Sequence, residues 1–499
     1  MKKKTCLLVF VLFIVRFEFL RAQTYTLRPI VLQGQSAPGT HGTFASLFFP
    51  SPYLAPLCLN DSGEMAFKAT ISGGSTSSGV FRFSQGVISP IAFQGQPAPG
   101  AQGGLFAEFF SIKMNHSGDI AFTASISGSA VTSGLFQVTQ GTMMPIALQG
   151  QPAPGTQDRN FGDISPAIAM NDSGDIAFSA TLTDSGVGLF MYSQGRILPI
   201  AFSGQIIAGT LTLDTFWVSS INDSRSIAFL SASGSSQNFV AAGYAPLGSL
   251  FLFADGVISF VASPTRSLGI EYLIPSALSS QDTIVFLEIG SAGGAGGGGL
   301  AGRALSLYSN GTVTPIDGIL PLPLGTPPSL PSMNRTGSFA FSATIRRGNT
   351  SLGDLGVFLH SAGSLSPIAL NGQIAPDTGG LRFFNFGSVS LNDSSQVAFV
   401  GSFLLNSFSS PAPQGVYLSS DRGITKIAMA DPAGDAVGNI LPDEAPGTGG
   451  GRFSGFALLC LNNRNSISFY AAVVGGTTNT GIFIATPSEQ QGFRSRRRP

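Results

Sequence analysis

The sequence predicts an all-β protein, an eight-bladed β-propeller of four-stranded antiparallel blades closed by its own N-terminal strand. Three observations predict it. An eight-residue motif, seen as Asn171-Asp-Ser-Gly-Asp-Ile-Ala-Phe178, recurs eight times with drift. Each unit holds four short strand candidates separated by turn residues, at a spacing of about 57 residues. The chain also begins with a strand of the fourth type and ends with one of the third type, so the two ends are complementary.

The motif is the first element. Its copies begin at Asn60, Asn115, Asn171, Asn222, Ser279, Asn334, Asn392 and Asn462. An Asn side chain can bond the backbone two residues on, and Gly accepts positive φ, so the motif predicts a hairpin loop between a first and a second strand. The seven asparagines are therefore assigned to the turn. The eighth position is always Phe: Phe67, Phe122, Phe178, Phe229, Phe286, Phe341, Phe399 and Phe469. The Ile-Ala-Phe run is apolar on both faces of its strand, whereas a half-exposed antiparallel strand would alternate. Each sheet is thus expected to be covered on both sides by neighbouring repeats, with these phenylalanines packed between blades.

The third strands begin at Gly79, Gly134, Gly188, Ser249, Ala304, Gly356, Gly415 and Gly481. A tight turn, often Gln-Gly or Asp-Gly, leads to fourth strands starting at Pro29, Pro90, Pro145, Pro199, Phe260, Pro315, Pro367 and Lys426. The Gly-Gln-Pro-Ala-Pro-Gly segments at 95–100 and 150–155 are connections, because proline cannot donate to a ladder. Closure follows from the ends: Thr26–Gln33 is expected antiparallel to Gly481–Ala485. Sandwich domains would need about 100 residues each, and β-solenoid rungs are usually shorter than this unit.

The motif Asn-x-x-Gly-x-x-Ala-Phe, with Gly-Gln-x-Ala-Pro-Gly between copies, resembles the bacterial exported proteins with tandem NxxGxxAF repeats. The resemblance runs from Thr24 to Pro487. Gly63, Gly118, Gly174 and Gly337 keep the motif glycine, and repeat five departs most, with Ser279 and Asp282. It implies export but no established activity. Many such proteins carry a C-terminal sorting anchor; none is found here.

Composition sets further bounds. Charged residues make up 10% of the 499, far below the roughly 25% of average domains. Residues 1–22 carry Lys2–Lys4, an apolar run and a small-residue end, the pattern of a secretory signal. Residues 23–487 form the repeat body. Residues 488–499 are polar, then Arg-rich, and are expected to be a disordered tail. Without residues 1–22 and 494–499 the chain has 17 basic and 25 acidic residues. An acidic body argues against nucleic acid as a partner. No later segment is long and apolar enough for a membrane helix. Cys58 and Cys460 occupy equivalent motif positions and are expected in adjacent sheets without bonding.

Chemistry is sparse. His41, His116 and His360 form no ligand spacing. Asp61, Asp119, Asp172, Asp175, Asp223 and Asp393 should line one rim, but they lack the alternating oxygens of calcium loops, so turn chemistry is preferred. Six motif copies are also Asn-x-Ser/Thr sequons, and Asn310 and Asn349 add two more. Neither a catalytic residue, a cofactor nor a metal ligand emerges. The expected function is that of a secreted or periplasmic, non-catalytic binding scaffold for an extracellular carbohydrate or protein. The alternatives are a structural envelope component and a polysaccharide-cleaving enzyme with two rim carboxylates.

Overall fold

Each four-strand unit folds as an antiparallel sheet whose strands lie in sequence order. The computed structural model describes residues 24–47, 58–232, 248–264, 270–291, 300–316, 319–320, 330–345, 354–403, 412–432 and 441–488. Residues 1–23 and 489–499 lie outside them, as does Asn349. The described residues contain strands and turns and no helix.

Blade three shows the plan. Phe161–Met170 pairs with Ile176–Leu182, which pairs with Val187–Ser193, which pairs with Arg196–Phe202. Blades two, four, five and seven repeat it. In blades one and six the first-strand place is shared by two short segments, Thr43–Ser46 with Cys58–Leu59 and Ile319–Leu320 with Ser332–Met333. Blade eight takes its first three strands from Arg452–Leu461, Ile467–Val474 and Thr480–Pro487. Its fourth is Tyr25–Leu32, antiparallel to Thr480–Pro487 with Leu27 opposite Ala485 and Leu32 opposite Gly481. The expected closure is the one observed. Ser488 N–H also donates to the Thr24 carbonyl at 2.9 Å, so pairing runs one residue past the expected end of the body.

Local chemistry explains the strand order. The turn between third and fourth strands is a two-residue hairpin; in blade three Gln194 and Gly195 have φ of 49° and 79°. Two positive φ values define the type I′ turn that matches strand twist. The fourth strands begin about three residues earlier than expected, directly after this turn. Pro199 therefore lies inside Arg196–Phe202, and the ladder register slips beside it. The same slip accompanies Pro29, Pro90, Pro145 and Pro367. These strands are outer edges, where a missing N–H can sit at a bulge at little cost.

The core lies between blades, and its two faces differ in size. Phe178 clusters with Phe161 and Phe190 of its own blade and with Ala121, Leu135 and Ala147 of blade two. Its neighbour Ala177 points the other way, into the cluster around Phe229 of blade four. Period-two alternation thus gives every blade a phenylalanine face and a small-residue face, and the two interlock. All eight motif phenylalanines are buried. Phe178 stacks on Phe190 at 5.6 Å, and Phe161 meets Phe190 edge-on at 5.0 Å. The third-strand glycine makes this possible: a Cβ on Gly188 would lie 2.5 Å from the Phe190 ring.

Candidate functional site at the axial mouth

The site is assembled from the motif turns. The first residue's side-chain oxygen accepts from the N–H four residues on in every copy, as in Asp175 N–H to Asn171 Oδ1 at 2.8 Å and Thr283 N–H to Ser279 Oγ at 3.0 Å. In five copies it also accepts from the N–H two residues on, at Ser62, Gln281, Thr336, Ser394 and Arg464. Asn60, Asn115, Asn171, Asn222, Asn334, Asn392 and Asn462 each accept within their own turn from the N–H four residues on.

The amide nitrogens do something further. Each donates to a motif-turn carbonyl of the next blade: Asn60 to His116, Asn115 to Asp172, Asn171 to Asn222, Asn222 to Ser279, Asn334 to Asn392, Asn392 to Asn462, and Asn462 back to Asn60. The distances run from 2.8 Å at Asn222 to 3.4 Å at Asn60 and Asn115. Repeat five lacks the asparagine, and Ser280 supplies the link through its N–H and Oγ, both to the Arg335 carbonyl. Eight turns bonded head to tail form a closed ring, which must encircle the propeller axis.

The fourth motif residue has positive φ in all eight copies. Where it is not glycine, three of its side chains reach the preceding blade. Arg225 Nε donates to Asp175 at 3.0 Å, while Asp282 and Asn465 accept from Asn222 and Asn392 at 2.9 Å. The expected single rim of carboxylates therefore splits in two. Asp119 and Asp175 lie at the base of their own turns, bonded to Asn115 and Asn171. Glu64 occupies the same level in blade one. Burial pushes its pKa up, but hydrogen bonds from Ser84, Asn60 and Arg82 and the Arg82 charge outweigh that and leave it below the ordinary value. Asp175 behaves alike: burial raises it, and Ser193, Asn171 and Arg225 together lower it further.

Asp61, Asp172, Asp223 and Asp393 belong to the second motif position, which faces the axis together with His116, Ser280, Arg335 and Asn463. Five of these eight accept from the second-position N–H of the preceding blade: Asp61, Asp172, Asp223, Asp393 and Asn463. Two others depart from that pattern and meet. His116 Nε2 lies 2.9 Å from Asp61 Oδ2, and its Nδ1 is hydrogen-bonded to Asp172. Arg335 of blade six crosses the ring to pair with Asp172 of blade three. It also lies 3.0 Å from His116 Nδ1, 3.6 Å from Asp393 and 3.8 Å from Asp223. Asn463 bridges Asp61 and Asp393 at 3.1 and 3.0 Å. One connected polar network thus spans the mouth, with Arg335 46% and His116 37% exposed. The carboxylates are held as hydrogen-bond acceptors. Among the described residues, no cluster of three or more His, Cys, Asp and Glu side chains could hold a metal ion.

Sequence reasoning missed His116 and Arg335 as site residues. Their one signal is position: each occupies the second motif place, where four of the eight copies have Asp. His41 and His360 lie elsewhere, and His360 stacks on Phe339 at 4.6 Å. Cys460 packs half-buried against the blade-one core, while the Cys58 side chain lies outside the described residues.

Residues 18–239 and 323–491 match a family of unknown function, DUF7453. The chain belongs to that family. No curated protein matches it. Solved structures similar to it include the β-propeller domain of the trilobed protease from Pyrococcus furiosus, at 10% identity and TM-score 0.37, over 77% of this chain and 95% of that one. The WD40 domain of SCAP from fission yeast is similar at 8% identity and TM-score 0.40, over 93% and 98%. A polysaccharide lyase, an ulvan lyase, is similar at 8% and 0.37, over 93% and 96%. At these identities none of them speaks to chemistry. Among the described residues no helix is long and apolar enough to cross a membrane.

Proposed function

We propose that this DUF7453 member is an exported, non-catalytic binding scaffold whose axial mouth takes an extracellular carbohydrate or protein. One contrast carries the reading. Two motif positions share the ring, at equivalent backbone places, yet only the first is uniform. The first is Asn in seven of eight copies, as a structural link requires. The second runs Asp, His, Asp, Asp, Ser, Arg, Asp, Asn. Accepting the neighbour's N–H needs only Asp or Asn. His116 and Arg335 are not required by the ring, and they converge in the centre of a solvent-facing mouth. Partly exposed donors and acceptors gathered at one point suit a ligand with several hydroxyls or a polar loop. Export is supported by the signal pattern of residues 1–22.

A glycan array and a pull-down from extracellular protein, each followed by titration calorimetry, test the reading. Arg335→Ala and His116→Ala should weaken a ligand at least about tenfold, because each removes hydrogen-bonding capacity from the centre. Their melting temperatures should stay near that of the wild type, since both side chains are substantially exposed. Binding that survives both substitutions would place the ligand elsewhere. A wild-type chain that binds neither glycan nor protein would end the scaffold reading, and turnover of a bound polysaccharide would replace it with an enzymatic one.

A further inference from the structure

The seven sequons among the described residues fall into two structural classes, and we infer that Asn310 is an acceptor for N-linked glycosyl transfer on the folded protein while the six ring sequons are closed to it. The inference is independent of the binding proposal above. Glycosyl transfer needs a free amide nitrogen, with the hydroxyl two residues on accessible beside it. At Asn60, Asn115, Asn171, Asn222, Asn334 and Asn392 the first condition fails. Their exposure lies between 3% and 6%. Each amide nitrogen is spent on the next blade's carbonyl, as described above. At Asn115 and Asn334 the partner hydroxyls are spent too, with Ser117 Oγ and Thr336 Oγ1 both donating to the asparagine oxygen at 2.9 Å. A sugar on any of these nitrogens would replace an N–H that faces a neighbouring blade about 3 Å away.

Asn310 is the opposite case. It heads the two-residue turn Asn310-Gly311 between the third and fourth strands of blade five, with φ of 50° and 79°. Asn310, Gly311 and Thr312 are all exposed. The strand that follows, Thr312–Pro315, is four residues long, exposed throughout and at the sheet edge. An edge of that kind opens locally at low cost, which lets a transferase take the Asn-Gly-Thr segment in an extended form. In the reaction, Asn310 Nδ2 forms a bond to the anomeric carbon of a lipid-pyrophosphate-linked oligosaccharide. The bond from that carbon to the pyrophosphate oxygen breaks, a proton leaves Nδ2 for solvent, and lipid pyrophosphate is released.

The test uses the purified, folded full chain with an oligosaccharyl transferase and a lipid-linked oligosaccharide, and maps sites by peptide mass spectrometry. Tryptic peptides of the same chain form a second arm, in which no fold protects any sequon. Asn310 should be modified in both arms, at least about tenfold faster than any ring asparagine in the folded protein. The ring asparagines should gain sugar only in the peptide arm, Asn334 excepted because trypsin cleaves its sequon after Arg335. Asn310→Gln should abolish the folded-state product at that peptide. Modification of ring asparagines in the folded chain at the Asn310 rate would overturn the division. So would an unmodified Asn310 in either arm.

Discussion

The side-chain amide of Asn462 donates to the carbonyl oxygen of Asn60 at 2.9 Å, joining residues 402 positions apart. Beside it, Asn463 N–H donates to Asp61 Oδ1 at 2.9 Å. Blade eight is therefore tied to blade one at the axis by the same pair of bonds that ties neighbouring blades elsewhere. On the outside the tie is the Tyr25–Leu32 strand. The ring closes by two devices, one near the axis and one on the outer edge.

The axial device raises the stability expected to depend on Asn171. Judged as a turn residue alone, Asn171→Ala should cost on the order of 1 kcal/mol, one hydrogen bond. In the folded protein Asn171 Oδ1 accepts from Asp175 N–H, and Nδ2 donates to both Asp175 Oδ2 and Asn222 O. Truncation leaves the Asp175 N–H buried without a partner, at roughly 1–3 kcal/mol, and removes two further bonds of about 1 kcal/mol each, although Arg225 still bonds Asp175 Oδ2 and the Asn222 carbonyl. The expected loss is about 2–4 kcal/mol, close to the roughly 3–5 kcal/mol expected for the cavity left by Phe178→Ala. Guanidinium denaturation of both variants checks this. A loss near 1 kcal/mol for Asn171→Ala would show that the inter-blade bond contributes little.

The reason this was not legible in the sequence is physical. A motif displays the contacts made within itself, so Asn-Asp-Ser-Gly announced its own turn and Phe178 its own burial. The Asn171 amide nitrogen finds its partner 51 residues away, and Arg335 reaches Asp172 across 163. Spacing alone does not say which end of eight hairpins meets at the axis. Closure was legible because it is a counting argument: a spare fourth strand at one end and a missing one at the other. The early start of the fourth strands was not, because proline marks a bulge here and not a boundary.

Two buried hydroxyls break the repeat pattern and predict stabilising substitutions. Ser468 sits where six of the other copies have Ala; it is fully buried and its Oγ lacks a hydrogen-bond partner among the described residues. Tyr417 takes the place held by Phe136, Phe190 and Phe483 in other blades, and its hydroxyl is likewise unpartnered. Burial pushes the Tyr417 phenol well above its ordinary range, with Asp377 and Asp443 adding to the shift. Removing an unsatisfied buried hydroxyl recovers its desolvation cost, so Ser468→Ala and Tyr417→Phe should each stabilise by about 1 kcal/mol. Unchanged or lowered denaturation midpoints would mean that the hydroxyls are satisfied in solution.

Acid should weaken the protein through the two depressed carboxyls. Glu64 and Asp175 have folded-state pKa values below the ordinary 4.5 and 3.8. Such groups contribute stability that is fully present above the unfolded value and is lost as pH falls through the folded one. Unfolding free energy should therefore decline as pH drops below about 4. Asp175→Asn, which cannot titrate, should start lower and decline less steeply. Asp443 has the opposite sign: burial raises its pKa against the lowering by Met429 N–H, Lys426 and Arg452. Its contribution favours the folded state as pH falls. Parallel slopes for wild type and Asp175→Asn between pH 5 and pH 2 (urea melts) would remove Asp175 from the account.

The outer device makes a prediction about connectivity. Deleting residues 24–34 would strip Thr480–Pro487 of its partner and remove Ile30 and Val31, both buried against blade one. Two such side chains alone are worth roughly 3–6 kcal/mol, so the deletion should unfold the ring or leave it severely destabilised. A permutant separates this from a trivial failure to fold. Thr24 and Ser488 are already hydrogen-bonded neighbours, placed like the ends of the third and fourth strands in every other blade. Joining 488 to 24 through Asn-Gly would build the type I′ hairpin that blades one to six use. New ends can be opened within 48–57, between the two short first-strand segments of blade one. The permutant, running 58–488, Asn-Gly, 24–47, keeps every pairing and turns closure of blade eight into a local hairpin, which lowers the entropy lost on folding. It should match or exceed the wild-type denaturation midpoint, while the same permutant cut short at Asn-Gly should behave like the deletion. Equal stability of the two would show that the N-terminal strand does not hold the propeller closed.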